Sequence, residues 1–245
     1  MTPPEPARIH LIPAKNAPLT LVLRRKPSKA FNIFLWNTDN DHLVHGSRFT
    51  GKLYVEACDL SLDGKWMSYQ AIGRDGASWS GLCQPPYLRT VAEGDHGPGI
   101  GGGVWLSEKE LCLGYWNIAQ GICPFEVRGF AEFPQVNEDV RYGVGFLLTR
   151  LRRDGWKRVD GLVSNRWSSQ PGREFPTLYL TIDKETDRYT FQLDGHDDVV
   201  DENVSWAAWD CKGNLIFARL GVLYRFDLEA LQKRKPSFKL DLEQI

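Results

Sequence analysis

The strongest indication of the fold comes from Asp59-Leu-Ser-Leu-Asp63-Gly64-Lys-Trp-Met-Ser-Tyr69, which we call the deciding stretch. Its first residues read as the end of a strand. Asp63 and Gly64 then form a dipeptide that favours a tight turn between antiparallel strands. Large side chains alternate after the turn, as they do in a half-buried strand. The stretch therefore predicts a strand, a tight turn and a second strand.

Related versions of this stretch recur downstream, at Val104–Trp116 and Trp206–Ala218. Together with a further turn, the turn positions fall near Gly64, Glu110, Gly155 and Gly213, at separations of about 46, 45 and 58 residues. Repeats of this length with several strands in each are typical of β-propellers. About five such units fit the chain.

The remaining segments predict strands and hairpins. Gly143–Arg152 and Trp156–Asp160 are expected to pair around the turn at 153–155, and Leu178–Ile182 is expected to pair with Arg188–Leu193. Only Asp227–Lys235 is predicted to be helical, with an aspartate cap and a stop at Pro236. Without helices between strands, a parallel sheet is disfavoured.

The chain is therefore predicted to be all-β, a single β-propeller-like domain over residues 1–245 with a flexible tail at 1–7. A β-sandwich or jelly roll is the alternative. In a propeller, strands at residues 8–13 and 238–242 would complete one blade from both ends of the chain and remove an exposed sheet edge.

Ser61–Tyr69 is similar to the Ser-Pro-Asp-Gly repeat of propellers of the Tol-type and prolyl-peptidase kind, a group with WD-like repeats. That resemblance implies that the Asp-Gly turn joins the two inner strands of a blade. Trp209–Phe217 resembles a degenerate copy, and the copy at Ser107–Leu111 lacks the glycine. The resemblance covers about 40 residues in three places.

Composition excludes several classes of function. The formal net charge is −1, which disfavours binding to nucleic acid or to anionic membranes. The sequence has no apolar signal segment and no run long enough to span a membrane. Its five cysteines form no CxxC pair, which favours a reducing compartment and cytoplasmic localisation. Cys58, Cys112 and Cys211 lie in apolar runs and are expected to be buried.

The motifs that could support chemistry are weak. Gly97–Gly102 matches GxGxxG, but a strand follows it where a dinucleotide site needs a helix. His42 and His45 beside Asp39 and Asp41 could bind a metal ion, although residues three apart on a strand face opposite ways. The acidic stretch at 196–202 does not match a calcium loop. No cofactor and no metal site are predicted.

The predicted function is a protein- or peptide-binding scaffold, because nine tryptophans and long loops accompany no assembled catalytic motif. The residues assigned to binding are Trp79, His96, Trp116, Trp156, Trp167, His196 and Asp197. One alternative is a propeller hydrolase, a glycosidase or a metal-dependent enzyme, with acidic residues or histidines in the central depression; its carboxylates would come from Asp59, Asp95, Asp160 and Asp210. A sugar-binding lectin is a weaker alternative.

Overall fold

A computed structural model describes residues 5–26, 30–95, 101–114, 117–129, 132, 145–159, 165–183 and 188–243. In these ranges 21 strands form five small sheets, which are arranged as a five-bladed β-propeller. The prediction of an all-β propeller is confirmed.

The first blade is a regular antiparallel sheet in chain order. Its strands are β1 (Arg8–Pro13), β2 (Leu19–Lys26), β3 (Ala30–Asn37) and β4 (His42–Thr50). Side chains of β1, β2 and β3 are mostly buried, apart from the exposed Arg8 and Arg25, whereas β4 is partly exposed along its length.

One strand from the chain segment that forms blade 3 pairs with the edge of blade 2. Blade 2 contains β5 (Lys52–Leu53), a 3-10 helix (Val55–Ala57), β6 (Asp59–Leu60), β7 (Met67–Ile72), β8 (Ser78–Cys83) and β9 (Thr90–Asp95). Blade 3 contains β10 (Gly103–Trp105), β11 (Glu110–Leu113) and β13 (Glu126–Gly129), which runs parallel to β11. Strand β12 (Gln120–Gly121) lies between β11 and β13 in the chain, but it pairs with β9 at the edge of blade 2.

The last two blades are antiparallel and also follow chain order. Helix α1 (Gly145–Arg153) precedes blade 4, which contains β14 (Lys157–Arg158), β15 (Arg166–Ser169), β16 (Leu178–Asp183) and β17 (Arg188–Leu193). Blade 5 contains β18 (Val204–Trp209), β19 (Leu215–Arg219), β20 (Val222–Phe226), helix α2 (Leu228–Lys233) and β21 (Phe238–Asp241).

The deciding stretch forms the tight Asp63-Gly64 turn that the sequence predicts, and local hydrogen bonds stabilise it. The Ser61 hydroxyl donates to the Asp63 carboxylate over 2.7 Å and accepts from the Trp66 amide over 3.0 Å. Gly64 has a φ of +76°, and an added Cβ would lie 2.8 Å from Leu19. Only glycine meets both conditions without strain. In the later copy, Asp210 accepts the amides of Lys212 and Asn214.

Helix α1 contradicts the predicted hairpin over residues 143–160, of which 143, 144 and 160 lie outside the described residues. Residues 145–153 are helical because Leu147, Leu148 and Leu151 fall on one helical face, and all three are buried. The 153–155 turn ends the helix, with Gly155 at a φ of +88°. The predicted C-terminal helix is confirmed as α2, whose Ala230 amide donates to Asp227.

The predicted closure by a shared blade is wrong. β1 pairs with β2 and β21 pairs with β20, so the two ends of the chain belong to different blades. β1 instead packs beside β18, where the Ser205 hydroxyl donates to the Ile9 carbonyl over 2.9 Å. Ala7, which falls within the predicted tail, is 3% exposed and donates to Glu243.

Candidate functional site

Helix α1 packs with all five blades of the propeller. Its side chains form hydrogen bonds to blades 1, 2 and 3, and the Arg152 guanidinium lies 5.5 Å from the Trp167 ring of blade 4. Leu147, Leu148 and Leu151 also belong to the core cluster that joins blades 1, 4 and 5. A helix that packs with every blade lies at the centre of the ring, where this fold most often presents a site.

Arg153, at the C-terminal end of helix α1, forms a buried pair with Asp59. Its guanidinium donates two bonds to the carboxylate, over 2.5 and 3.2 Å, and a third to the Trp105 carbonyl over 3.0 Å. Asp59 also accepts the Trp105 amide over 2.9 Å. Burial lowers the pKa of Arg153, but the carboxylates of Asp154 and Asp59 outweigh this and raise it. Burial raises the pKa of Asp59, and the charges of Arg153 and Arg150 oppose that shift. The pair joins the helix to blades 2 and 3.

Arg150 forms the second half of the same network, one turn earlier in the helix. It is 4% exposed, donates to the Cys58 carbonyl, and lies 3.0 Å from Nε2 of His10. Burial, followed by the charge of Arg150, lowers the pKa of His10. The imidazole is therefore neutral, and its Nε2 accepts a hydrogen bond from the Arg150 guanidinium. Its ring contacts Trp206 in a tilted arrangement, with 3.7 Å between centroids and 39° between the ring planes.

A further contact reaches the centre from blade 4. The Tyr189 hydroxyl donates to Glu56 of the 3-10 helix over 3.0 Å, and the Tyr189 ring packs edge-on against Trp206. We call His10, Asp59, Arg150 and Arg153 the axial network. All four are less than a tenth exposed, so the network joins blades and presents no reactive group to solvent.

A shallow pocket of about 260 Å³ lies beside the end of helix α1. It is lined by Pro13–Lys15, Asp154, Gly155, Ser169–Pro171 and Trp209–Cys211. Most of its polar groups already bind the protein itself: Lys15 donates to the Arg153 carbonyl over 2.7 Å, and Trp209 donates to the Ser169 carbonyl. Asp210 holds its own turn. The pocket therefore offers few free groups to a small ligand.

Residues 117–129, which we call the bridging segment, join the edge of blade 2 to the edge of blade 3 through β12 and β13. Ile122 is 82% exposed and Val127 is 37% exposed. Phe125 packs edge-on between Trp66 and Trp105, with 5.6 Å to each ring, and is partly exposed. The bridging segment thus concentrates apolar side chains at the surface.

The structure separates the residues that the sequence assigned to binding. Trp156 and Trp167 are buried, 7% and 1% exposed, and the Trp167 ring lies between Arg152 and Arg158. Trp79 is half-buried and donates to the Tyr69 hydroxyl over 3.3 Å. His196 is half-buried and Asp197 is exposed in the loop between β17 and β18. His96 and Trp116 lie outside the described residues.

The carboxylates of the hydrolase alternative do not converge in the part of the chain that the structure describes. Asp59 belongs to the axial network, whereas Asp210 holds a surface turn. Asp160 and the side chain of Asp95 lie outside that part. Within it, no group of three or more His, Cys, Asp or Glu side chains could hold a metal ion. Asp39 and Asp41 instead pair with Lys212 and Arg225 of blade 5.

Sequence reasoning missed the axial network because it assigned α1 to a strand. The apolar spacing of Leu147, Leu148 and Leu151 was the available signal for a helix.

The prediction that Cys211 is buried is wrong, since it lies in an exposed turn, whereas Cys58 and Cys112 are buried.

No protein-family model matches this chain, and no curated protein matches it. The crystal structure of an uncharacterised protein from Listeria monocytogenes EGD-e is similar at 9% identity and a TM-score of 0.35. The match covers 89% of this chain and 58% of that chain, so this chain spans little more than half the length of its neighbour. Among the helices described, none is long and apolar enough to cross a membrane.

Proposed function

We propose that the protein is a binding scaffold for another protein, which it contacts through the bridging segment. The observation that carries this proposal is the exposure of Ile122, together with Val127 and the partly exposed Ile118 and Phe125, on one short segment. Single exposed apolar residues are ordinary, but a contiguous group of them marks an interaction surface more often than chance.

The shape of the molecule supports a protein partner over a small ligand. Small-molecule sites are usually enclosed and apolar, whereas the pocket beside helix α1 is shallow and most of its polar groups are already bonded. A protein partner needs no enclosed cavity. It needs an apolar centre surrounded by polar groups, and Gln120, Glu126 and Arg128 supply exposed polar groups on the same segment.

Affinity capture tests the proposal with a matched pair of variants. Ile122→Asp places a charge in the surface, and Leu220→Asp makes the same change at an exposed leucine in the β19–β20 turn. We expect tagged wild-type protein and Leu220→Asp to recover the same partner near stoichiometric yield. Ile122→Asp should recover it about tenfold less, as expected for an interface hot spot. Equal recovery by all three proteins would contradict the assignment of this surface.

A further inference from the structure

A small cationic notch lies where the first and last blades meet, far along the chain from the bridging segment. It encloses about 170 Å³ and is lined by Glu5, Pro6, Arg8, Arg25 and Lys26. We call it the seam notch. Three cationic side chains face one carboxylate there, a net charge of +2. The notch is independent of the surface proposed above for protein binding.

Two arginines of the seam notch lie directly opposite each other on neighbouring strands. Arg8 of β1 pairs with Arg25 of β2 in the antiparallel register. Like charges at such positions repel and destabilise a sheet. Glu5 binds Arg8 over 2.9 Å and compensates one of the charges. The Arg8 and Glu5 side chains are 74% and 58% exposed, so a ligand can reach them.

Arg24 precedes Arg25 on β2 and faces the opposite side of the strand. Arg24 is wholly buried, and among the described residues its Nε and Nη2 atoms have no hydrogen-bond partner. Burial lowers its pKa, and the nearby carboxylates of Glu243 and Asp241 partly offset this effect. Lys26 lies two residues along the same strand face and donates to the Glu243 carbonyl over 3.4 Å. Arg24 and Lys26 thus lie at the seam together with Glu243.

We propose that the seam notch binds a phosphate-class dianion, free or as the terminal group of a small phosphate monoester. The two negative charges of a dianion would neutralise the net charge of +2 that the residues lining the notch carry. Guanidinium groups bind tetrahedral oxyanions through paired, charge-assisted hydrogen bonds, and Arg8 and Arg25 supply two such groups across one pair of strands. A bound dianion would also relieve their repulsion.

The test is a titration of the full chain with inorganic phosphate at constant ionic strength, which sodium chloride maintains. Isothermal calorimetry measures affinity, and the unfolding midpoint measures ligand-linked stabilisation. Phenyl phosphate, in a parallel titration, represents the monoester source. We expect a saturable response to at least one of the two phosphates, and the tighter of them identifies the source.

Two charge-neutralising variants and one control locate the response. Arg25→Gln and Arg8→Gln change exposed side chains at the notch, and Arg234→Gln changes an exposed arginine that pairs with Asp198. Each notch variant should bind at least about tenfold more weakly, the usual consequence of losing a charge-assisted bond. Arg234→Gln should bind like wild type. Absence of saturation with both phosphates, or equal binding by the notch variants and wild type, would overturn the proposal.

Discussion

At the scale of single residues, Asp59 is the side chain on which most of the centre depends. It lies at the start of the deciding stretch, where a local turn bond would account for an aspartate. Its carboxylate instead accepts two bonds from Arg153 and one from the Trp105 amide. One residue thereby connects blade 2, blade 3 and helix α1.

We expect Asp59→Asn to lower the free energy of unfolding by about 2 kcal/mol, because it removes charge-assisted bonds from buried Arg153 and leaves Asp154 as its counterion. Urea denaturation monitored by tryptophan fluorescence measures the change. The control is Asp198→Asn, which breaks an exposed aspartate–arginine pair with Arg234. Such a pair contributes about 0.5 kcal/mol. Equal losses in the two variants would show that the axial pair does not stabilise the fold.

Tryptophan shows what residue type alone can and cannot predict. The surplus of tryptophan suggested a binding face, yet the sequence does not report which rings are exposed. Trp36, Trp105 and Trp167 are among the largest fully buried side chains. Because large aromatic rings suit both β-sheet cores and interfaces, only the packing of the blades separates these two uses.

At the scale of secondary-structure elements, helix α1 is the main departure from the all-β expectation. Its nine residues are too few to be stable as an isolated helix in water. Tertiary contacts stabilise it, since Leu147, Leu148 and Leu151 pack into the core between blades. Arg150 and Arg153 lie on the same helix and complete the axial network.

Truncation of Leu148 tests the packing of helix α1. Leu148 is 2% exposed, and a buried leucine replaced by alanine loses both transfer free energy and packing. We expect Leu148→Ala to lower the free energy of unfolding by about 3 kcal/mol. Leu220→Ala removes the same atoms from a leucine that is 50% exposed, and it should change the free energy of unfolding by less than about 0.5 kcal/mol. Similar values for both variants would mean that helix α1 is not packed in the core.

At the scale of the whole molecule, the ring closes through contacts between complete blades. The two terminal blades each form their own sheet, and Arg225 of blade 5 pairs with Asp41 of blade 1 over 2.8 Å. Ala7 also donates to Glu243 across the same seam. No covalent or shared-strand closure joins the described parts of these blades, so packing and ion pairs stabilise the ring.

The whole fold should lose stability in alkaline solution. Burial raises the pKa of Cys58 and of Cys112 to about 12, and it also raises the pKa of Cys83. An unfolded thiol titrates near pH 8.5, so the unfolded chain loses these protons first. The stabilisation is complete below that pH and decreases as the pH rises towards 12. Ionisation of the Cys58 thiol in the unfolded chain should lower the free energy of unfolding by about 2 kcal/mol between about pH 8 and about pH 10, and ionisation of the Cys112 thiol should do the same.

Urea midpoints measured across this pH range test the prediction. Cys112→Val removes one titrating group and should reduce the alkaline loss by about 2 kcal/mol. Cys211→Ala changes an exposed thiol and should reduce it much less. Stability that is constant from pH 8 to pH 10, or an equal effect of the two variants, would contradict the role of the buried thiols.

Features that depend on neighbouring residues follow from the sequence alone. The alternating strands, the Asp63-Gly64 turn with its positive φ, and the Asp227 cap of helix α2 all result from local hydrogen bonds and backbone geometry. The repeat spacing predicted about five blades, although one of its four turn positions, Gly155, follows helix α1 and does not join two strands.

Three further features depend on tertiary packing: the helical conformation of α1, the Asp59–Arg153 pair and the closure between blades 1 and 5. Each depends on groups far apart in the chain: Asp59 and Arg153 are 94 residues apart, and Asp41 and Arg225 are 184 apart. Local propensity does not encode contacts between residues so far apart in the chain. These contacts form when the blades pack, because a buried charge without a partner or a leucine without packing contacts would raise the free energy of the folded state.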